Sequence, residues 1–193
     1  VIVFNNMMNQ SSGFYSFGIA PNILNILDRL NFKVPTPIQE KAIPLAIQGK
    51  DLIGIAQTGT GKTLAFGIPM IQGALSGKRG LVVLPTRELA FQVHETFEKI
   101  GGPLRLRTAI LIGGEPIGRQ IFSLRKNPHI IIGTPGRIID HLEQKTVSLG
   151  TTAMLVLDEA DRMLDMGFAP QLKRILQAVP RERVEHVREE RQR

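Results

Sequence analysis

Short apolar runs rich in β-branched residues alternate along the chain with helix-like segments. Five of these runs predict strands: DLIGIA from Asp51, LVVLP from Leu81, TAILIGG from Thr108, HIIIGTP from His129 and AMLVLDEA from Ala153. Such alternation is typical of a parallel sheet whose strands are joined by crossover helices. We therefore predict an α/β fold with one doubly wound, mainly parallel sheet and helices on both of its faces.

The unusual residues of the sequence fall where the predicted strands end. The segments QTGTGKT, PTREL, GGEP, TPGR and DEAD each follow one of the five apolar runs. In open α/β sheets, ligands bind outside the carboxyl ends of the strands. The sequence therefore predicts that one edge of the sheet carries the chemistry.

Length and composition narrow the class of protein. With 193 residues, of which 42% are apolar and 21% charged, the chain is expected to form one folded domain. It contains no cysteine, so disulfides and thiolate metal sites are excluded, and a metal would need oxygen or histidine ligands. No apolar run has the length of a membrane span, and we expect a cytoplasmic, monomeric protein without membrane contact.

The charge balance favours an anionic partner. The formal net charge is +7, and residues 181–193 contribute little of it because five arginines there face four glutamates. The excess therefore lies in the body of the chain rather than in a basic tail. A positive excess favours nucleic acid or nucleotide as partner, although many proteins that bind neither also carry one.

A glycine-rich turn follows the first predicted strand. In QTGTGKT, Gly59 and Gly61 let backbone N–H groups converge on a phosphate at the start of the next helix, and Lys62 adds a positive charge. The hydroxyl of Thr63 is placed to bind Mg²⁺. The other predicted nucleotide-binding residues of the turn are Gln57, Thr58 and Thr60. The usual pattern begins with glycine where this chain has Ala56, another small residue.

Three acids crowd the end of the last predicted strand, in MLVLDEADRM. Like charges at close range raise one another's pKa values, so the cluster is costly unless a cation lies among them. On this interpretation Asp158 supplies a carboxylate to Mg²⁺ and Glu159 orients or deprotonates an attacking water. Asp161 is better placed to hydrogen-bond a neighbouring motif.

A plainer interpretation exists for the turn and for the acids. The turn can be a glycine turn with a solvated lysine, and the acids can end a strand and open a helix, where Asp and Glu suit the positive end of the helix dipole. Because the turn and the acids are complementary halves of one magnesium nucleotide site, their joint occurrence favours nucleotide chemistry.

The segment FKVPTPIQ has two interpretations that its spacing leaves open. Thr36 can cap a helix that begins at Pro37, with Gln39 completing a capping box. Alternatively, the Gln39 amide, which both donates and accepts, can pair with the N6 and N7 edge of adenine.

Together these motifs resemble the first RecA-like domain of DEAD-box RNA helicases. The resemblance spans residues 14–183 and rests on VPTPIQ, AQTGTGKT, PTRELA, the GG at Gly113, TPGR at Thr134 and DEAD at Asp158, in the family's order. It leaves residues 1–13 as an N-terminal extension and residues 184–193 as a divergent tail. It implies a domain that couples ATP binding and hydrolysis to RNA backbone binding, independent of base sequence, and to local duplex unwinding.

The resemblance also implies how the base of ATP is bound. In the family the glutamine reads adenine and an upstream aromatic stacks on the base, which by spacing falls on Phe14. Val34 is included among the predicted nucleotide contacts. A core aromatic beside Tyr15 and Phe17 is the alternative for Phe14. The family's usual glycine is replaced here by Asn31.

Three turns are assigned to RNA backbone contact by the same resemblance. Singly they are ordinary turns and helix caps, but at one sheet edge they imply a shallow track for one strand. With no tryptophan and one tyrosine the chain lacks an aromatic platform, so phosphate and 2′-OH contacts are expected to dominate. The predicted residues are Pro85, Thr86, Arg87, Gly113, Gly114, Thr134, Pro135, Gly136 and Arg137.

The chain departs from the family's pattern after RILQAVPRER, since no Ser-Ala-Thr motif follows. In the family's fold that motif's strand lies between the phosphate-loop strand and the Asp-Glu strand, so its loss is expected to leave a gap in the sheet and Asp161 without its partner. The second RecA-like domain, which supplies arginines to the transferring phosphate, is also missing. We therefore expect nucleotide binding with little turnover by this chain.

Two other function classes are compatible with parts of the sequence. A small-molecule kinase could use the same phosphate loop, but no arginine-rich lid segment is visible. A non-catalytic RNA-binding scaffold could retain the motifs as architecture, but intact Lys62, Thr63, Asp158 and Glu159 argue against decay.

Overall fold

The computed structural model describes residues 13–55 and 59–180. The chain divides into two compact units, one within residues 1–72 and one within residues 73–193. Among the described residues, no helix is both long enough and apolar enough to cross a membrane. The prediction of one RecA-like domain over residues 14–183 stays a prediction.

The first unit is helical. It contains a short 3-10 helix at Phe14–Phe17, α1 at Pro21–Arg29, α2 at Pro37–Ile47 and the start of α3 at Lys62–Leu75. Gln72 joins α3 to the segment before α1, because its Oε1 accepts from Ala20 N at 2.8 Å and its Nε2 donates to Gly18 O at 3.1 Å. Helix α1 buries one face, which consists of Ile23, Leu24, Ile26 and Leu27.

The position that is usually glycine in the family ends α1. Asn31 has a φ of 62°, and its N–H donates to Asp28 O at 3.0 Å. The N–H of Phe32 reaches back to Leu27 O at 2.9 Å. This is a helix C-terminal cap with a residue in the left-handed conformation, which glycine adopts most easily and asparagine tolerates. The substitution of asparagine for glycine is therefore compatible with the same backbone.

The strand predicted from Asp51 is wrong over its described part. Residues 51–55 form no strand, and Ala56 lies outside the described residues. Ile53 is 74% exposed and Ile55 is 94% exposed, whereas a strand inside a parallel sheet is buried on both faces. An apolar run needs a neighbouring strand to bind its backbone N–H and C=O groups. The missing Ser-Ala-Thr strand is the neighbour that the family's fold would supply.

The second unit contains the sheet, and the other four strand predictions are confirmed. Its strands are β1 at Arg79–Val83, β2 at Thr108–Leu111, β3 at Ile130–Gly133 and β4 at Thr152–Leu157. All pairings are parallel and the strand order is β2-β3-β1-β4. Within the described part of the chain β4 pairs only with β1, so β4 is an edge strand and the sheet has no strand on the far side of a gap.

Up to residue 180 the second unit also contains a 3-10 helix at Gly102–Leu104 and five α-helices: α4 at Arg87–Gly101, α5 at Ile117–Arg125, α6 at Pro135–Glu143, α7 at Ala160–Asp165 and α8 at Ala169–Ala178. The crossover from β1 to β2 runs in one direction across the sheet, and the next two crossovers run back. Because such crossovers are right-handed, α4 lies on one face and α5 and α6 lie on the other. The sheet is therefore doubly wound, as predicted.

The core of the second unit lies between the sheet and the helices that follow β3. Leu81, Val83 and Leu111 point to the same face of the sheet and pack in one buried cluster with residues of α6, α7 and α8. Alternate side chains along a strand point to opposite faces, so Val82 and Ile132 are buried on the other face. This packing holds the carboxyl ends of the strands, and the turns that follow them, in fixed positions.

Candidate nucleotide and nucleic-acid sites

The described end of the glycine turn, from Gly59 onward, leads directly into a helix. Gly59 and Gly61 have φ values of 84° and 89°, and α3 begins at Lys62 with Thr63 in its first turn. The turn therefore runs into a helix N-terminus, as predicted. Gln57 and Thr58 lie outside the described residues, and Thr60 lies between the two glycines.

Gln39 links the start of α2 to this turn. Its side chain is buried at 2% exposure, with Oε1 accepting from Thr36 N at 3.0 Å and Nε2 donating to Gly61 O at 3.0 Å. The first bond is the reach back to the helix cap that a capping box predicts. A Cβ on Gly61 would lie 2.4 Å from Nε2 of Gln39, so a larger residue would displace this amide, and the φ of Gly61 favours glycine independently. Adenine recognition by Gln39 stays a prediction.

The aromatic predicted to stack on adenine is buried in the first unit. Phe14 is 3% exposed, and its ring packs edge-to-face on Phe17 with 5.9 Å between ring centroids and 74° between ring planes. This is the core contact that the sequence left as the alternative. Val34, by contrast, is 84% exposed. Base stacking by Phe14 and nucleotide contact by Val34 stay predictions.

The acids of the second unit follow β4 directly. Asp158 N donates to Val83 O at 3.0 Å, which extends the pairing of β4 with β1, and Asp158 Oδ1 accepts from Glu159 N at 3.1 Å. Glu159 has a φ of 52°, and its Oε2 lies 2.9 Å from Nη1 of the exposed Arg162. Asp161 is exposed in the first turn of α7. The three carboxylates therefore lie in different backbone environments. Asp158 follows the strand, Glu159 lies in the turn and Asp161 lies in the first turn of the helix.

The donor atoms in both units suit magnesium by chemistry. Among residues 13–55 and 59–180, no three His, Asp or Glu side chains are grouped to hold a metal alone. Mg²⁺ does not need such a group, because it takes one or two protein carboxylates and completes its shell with phosphates and water. The Thr63 hydroxyl and the Asp158 carboxylate are oxygen donors of the kind Mg²⁺ prefers.

The turns predicted to contact RNA meet around one cavity of the second unit. This cavity is open to solvent and has a volume of about 480 Å³. Most of its lining comes from the segments that follow three of the strands, and the rest comes from residues between α7 and α8. The lining residues are Pro85, Thr86, Arg87, Glu88, Gly113, Thr134, Gly136, Arg137, Asp140, Met166 and Phe168. We call this cavity the cleft.

Two neighbouring strands bring two helix N-termini to the cleft. Strands β1 and β3 pair directly, and the chain leaves them into α4 and α6. Thr86 caps α4, its Oγ1 accepting from Leu89 N at 3.3 Å, and Thr134 occupies the same position before α6. N–H groups of a first helical turn have no partner inside their own helix and attract anions. The cleft therefore offers two such ends to a phosphate chain.

The two arginines of the cleft are held in different ways. Arg87 is exposed, and its guanidinium lies so close to Gly114 that a Cβ there would be 2.0 Å from Nη1. Gly114 also has a φ of 76°. Arg137 is less exposed, donates from Nη1 to Glu115 O at 3.0 Å and pairs through Nε with Asp140 Oδ2 at 3.2 Å. Arg87 is thus the guanidinium better placed to meet a ligand.

Not every residue predicted to contact RNA lines the cleft, and RNA contact by each of them stays a prediction. Gly114 and Pro135 do not line the cavity: Gly114 lies against Arg87, and Pro135 is buried in the first turn of α6. Sequence reasoning missed Met166 and Phe168, which line the cavity from the turn between α7 and α8. That turn shows only an ordinary glycine in the sequence, so no local pattern would have identified it. Phe168 places one partly buried aromatic ring at this site, and the expectation that phosphate and 2′-OH contacts dominate stays a prediction.

A buried polar chain lies behind the cleft. Gln120 Nε2 donates to Ile112 O at 2.9 Å, and its Oε1 lies 3.1 Å from His141 Nε2, which therefore carries the proton. Nδ1 of His141 lies 2.7 Å from Thr146 Oγ1. Burial, and then the charge of Arg137, lower the pKa of His141, while Asp140 opposes the shift. The histidine is therefore neutral in the folded protein near neutral pH.

This arrangement predicts a pH-dependent stability. The pKa of His141 lies lower in the folded than in the unfolded chain, where it is about 6.5, so below that pH unfolding takes up a proton. The free energy of unfolding should fall as pH drops from 7.5 to 5.5, with a slope from this residue of at most about 1.4 kcal/mol per pH unit. Urea unfolding at several pH values measures it. An equal pH slope for the parent and His141→Gln would contradict the prediction.

Family and structure comparisons agree with this geometry. The fold is a doubly wound α/β domain with a parallel sheet. The DEAD/DEAH box helicase family model matches residues 36–192, and the chain belongs to that family. One relative, named ATP-dependent rRNA helicase RRP3 in Gibberella zeae, is 49% identical over 174 residues, which is 88% of this chain and 36% of that protein. The protein of the same name in Yarrowia lipolytica is 48% identical, over 90% of this chain and 37% of that protein.

Solved structures show the same fold. A DEAD box protein from the hyperthermophile Methanococcus jannaschii has a TM-score of 0.82 and 37% identity, over 92% of this chain and 53% of that one. A hypothetical ATP-dependent RNA helicase from Sulfolobus tokodaii has a TM-score of 0.77 and 38% identity, over 81% of this chain and 46% of that one. The fold is therefore that of a RecA-like domain. The chain spans about a third of the length of the curated relatives it matches.

Proposed function

We propose that this chain is the ATP- and RNA-binding N-terminal RecA-like domain of a DEAD-box RNA helicase. In the complete protein the domain would couple ATP binding and hydrolysis to RNA backbone binding and local unwinding. The observation that carries the proposal is the meeting of the three motif turns around one open cleft. Membership of the family supports it and does not favour the kinase or the scaffold alternative.

The chemistry of the cleft favours a sugar-phosphate backbone over base edges. The first turns of α4 and α6 and the exposed Arg87 donate to phosphate oxygens. Gly113 and Gly136 leave space, since nothing lies within 4 Å of a Cβ built on either. Asp140 and Glu88 add carboxylate acceptors, the kind of group that a 2′-hydroxyl can donate to. Binding should therefore depend little on base sequence.

For nucleotide binding we propose roles residue by residue. The N-terminus of α3 and Lys62 bind the phosphates of ATP, and Gln39 and Phe14 bind adenine. Thr63 and Asp158 would hold Mg²⁺, which supplies positive charge to the phosphates when bound. Glu159 would orient the attacking water. Gln39 contacts both Thr36 and Gly61, so adenine at this amide would also affect the phosphate turn.

Turnover by this chain alone is proposed to be low. The matched segment is only 36% and 37% of the two relatives, and in the family a second RecA-like domain supplies arginines to the transferring phosphate. A steady-state ATPase assay of the chain with saturating RNA tests this. Turnover as fast as that of a complete relative would refute it. The cytoplasmic location stays a prediction, which cell fractionation would test. The monomeric state also stays a prediction, which light scattering would test.

Binding of ADP compared with GDP separates the three candidate functions. We expect the parent to bind ADP more tightly than GDP, because guanine lacks the N6 amino group that donates a hydrogen bond to an amide oxygen. In Gln39→Ala this preference should be lost. Each measurement is made with and without homopolymer RNA. A kinase would ignore RNA, and a scaffold would ignore nucleotide. Adenine preference that survives Gln39→Ala would refute the role of Gln39.

RNA binding to the cleft is tested with Arg87→Gln, using Lys173→Gln as the control with equal charge change on the exposed face of α8. Loss of one phosphate contact should reduce the magnitude of the negative slope of log K against log salt by about 0.7 for a single strand. Fluorescence anisotropy of labelled oligouridine measures the slope. Identical slopes for the two variants would contradict the assignment of Arg87.

A further inference from the structure

The loops that enter the four strands carry an unbalanced positive charge. Because the strands are parallel, these loops lie at one edge of the sheet, opposite the edge that forms the cleft. Residues 76–78, 102–107, 126–129 and 144–151 contain five lysines and arginines and no aspartate or glutamate. Arg79 at the start of β1 and Arg125 at the end of α5 add two more positive charges, and Glu143 at the end of α6 adds one negative charge. The seven cations are Lys78, Arg79, Arg105, Arg107, Arg125, Lys126 and Lys145. We call this region the amino-edge surface.

Two arginines and a histidine converge at its centre. Arg79 Nη1 donates to Asn127 O at 3.1 Å and to Pro128 O, and Arg107 Nη2 donates to Asn127 O at 3.3 Å. Both guanidiniums are thereby fixed beside His129. Each has five N–H donors, so most of these donors remain for a ligand.

The protonation of His129 adds a donor to this centre. Its Nδ1 accepts from Arg107 N at 2.9 Å, so the proton of the neutral ring lies on Nε2, only 3.5 Å from Arg107 Nη2. Two donors that face each other leave a position for an acceptor. The pKa of His129 is lowered by burial first and then by the charges of Arg107 and Arg79. The local potential is therefore positive, as an anion site requires.

The surroundings of this centre fit a polynucleotide. A cavity of about 160 Å³ is lined by Arg79 and His129 and by the hydroxyl residues Thr146, Ser148 and Thr151. Nearby, Phe122 is 61% exposed, with Lys126 Nζ 4.5 Å from the centre of its ring. Cations beside an exposed aromatic are the combination that single-stranded nucleic acids use, with phosphates on the charges and a base on the ring.

We propose that the amino-edge surface is a second binding site for the phosphodiester backbone of RNA, separate from the cleft and insensitive to base sequence. The proposed function assigns RNA to the cleft alone, so this site goes beyond it. Charge density and hydroxyl donors favour RNA over an anionic membrane, since a membrane site would also need an apolar insertion surface. With two sites on opposite edges, the domain would hold two segments of one RNA or two RNAs at once.

The test neutralises three exposed cations of the amino-edge surface without breaking the contacts of its centre. Arg105 and Lys145 have φ values of 60° and 55°, so asparagine, which tolerates this conformation, replaces both. The variant is Arg105→Asn/Lys126→Gln/Lys145→Asn. The control is Lys41→Gln/Lys50→Gln/Lys173→Gln, which loses the same charge from exposed positions elsewhere. Circular dichroism and thermal melting check that each variant folds. If the triple variant does not fold, the double variant Lys78→Gln/Lys126→Gln replaces it.

Salt dependence of oligouridine binding is the readout. The slope of log K against log salt is negative. We expect its magnitude to be smaller by up to about 2 in the amino-edge variant and equal to the parent value in the control. Equal slopes in the two triple variants would overturn the proposal. This is also the result expected if the amino-edge surface binds an acidic protein instead of RNA. Labelled duplex RNA in a parallel series shows whether single or paired strands supply the phosphates.

Combination with Arg87→Gln keeps this proposal distinct from the function of the cleft. If one RNA strand contacts both sites, the losses in slope add in the combined variant, because each substitution then removes phosphate contacts from the same binding event. If separate strands bind the two sites, each substitution changes the slope of its own site only. A loss in the amino-edge variant with none in Arg87→Gln would refute the cleft and support the second site. The reverse result would support the cleft alone and overturn the second site.

Discussion

Replacing Lys62 by alanine should weaken nucleotide binding by about ten- to 150-fold. The estimate follows from the loss of one charged hydrogen bond to phosphate, which contributes about 1.5–3 kcal/mol. Lys62 is the first residue of α3, directly after the turn that contains Gly59 and Gly61. Its ammonium therefore adds to the positive end of the helix at the point where a phosphate would lie. Titration with a fluorescent ADP analogue measures the affinity.

The matched control for this variant is Lys50→Ala. Lys50 is an exposed lysine after α2, so its loss changes the net charge equally without touching the turn. We expect ADP affinity within twofold of the parent for the control. If Lys62→Ala and Lys50→Ala bind ADP equally well, the turn is not a phosphate loop, and the nucleotide part of the proposed function fails.

Replacing Gly133 by alanine should destabilise the second unit by about 1–3 kcal/mol. A Cβ at this position would lie 2.5 Å from Leu111 O and 3.0 Å from Leu111 Cβ. The first atom belongs to the backbone of the neighbouring strand, so no side-chain rotation relieves the contact and β2 must move away from β3. Urea unfolding, followed by circular dichroism, measures the free energy.

The control for Gly133→Ala is Gly150→Ala in the loop before β4. A Cβ there meets only Ser148 Oγ, at 3.8 Å, so little change in stability is expected. Gly133 directly precedes Thr134, which opens the turn into α6, and we also expect weaker RNA binding by Gly133→Ala below its melting temperature. A Gly133→Ala protein as stable as Gly150→Ala would show that β2 and β3 are less tightly packed than the distances indicate.

Four of the five strands could be predicted because their apolar runs are long enough to identify by themselves. The same pattern failed at residues 51–55, since an apolar run specifies what can be buried but not whether a neighbouring strand exists to bury it. The turns around the cleft were predicted for a related reason. Parallel strands bring their carboxyl ends together, so Thr86 and Thr134 meet once β1 and β3 are paired.

The residues that the sequence could not assign are those whose alternatives use the same chemistry. A phenylalanine that stacks on a base and one that fills a core are identical in pattern, so the burial of Phe14 required the structure. Gln39 is similar, because an amide suits both a helix cap and an adenine edge. Phe168 reaches the cleft through the packing of α7 and α8, which no local spacing encodes.

The backbone at Glu159 has a consequence for the choice of residue there. A side chain at a φ of 52° costs about 1–2 kcal/mol that glycine would avoid. The ion pair with the solvent-facing Arg162 offsets at most about 1 kcal/mol of that cost. Folding alone would thus prefer glycine between β4 and α7. An acid at this position therefore lowers the stability of the turn, which is the cost expected if Glu159 has the catalytic role that we propose for it.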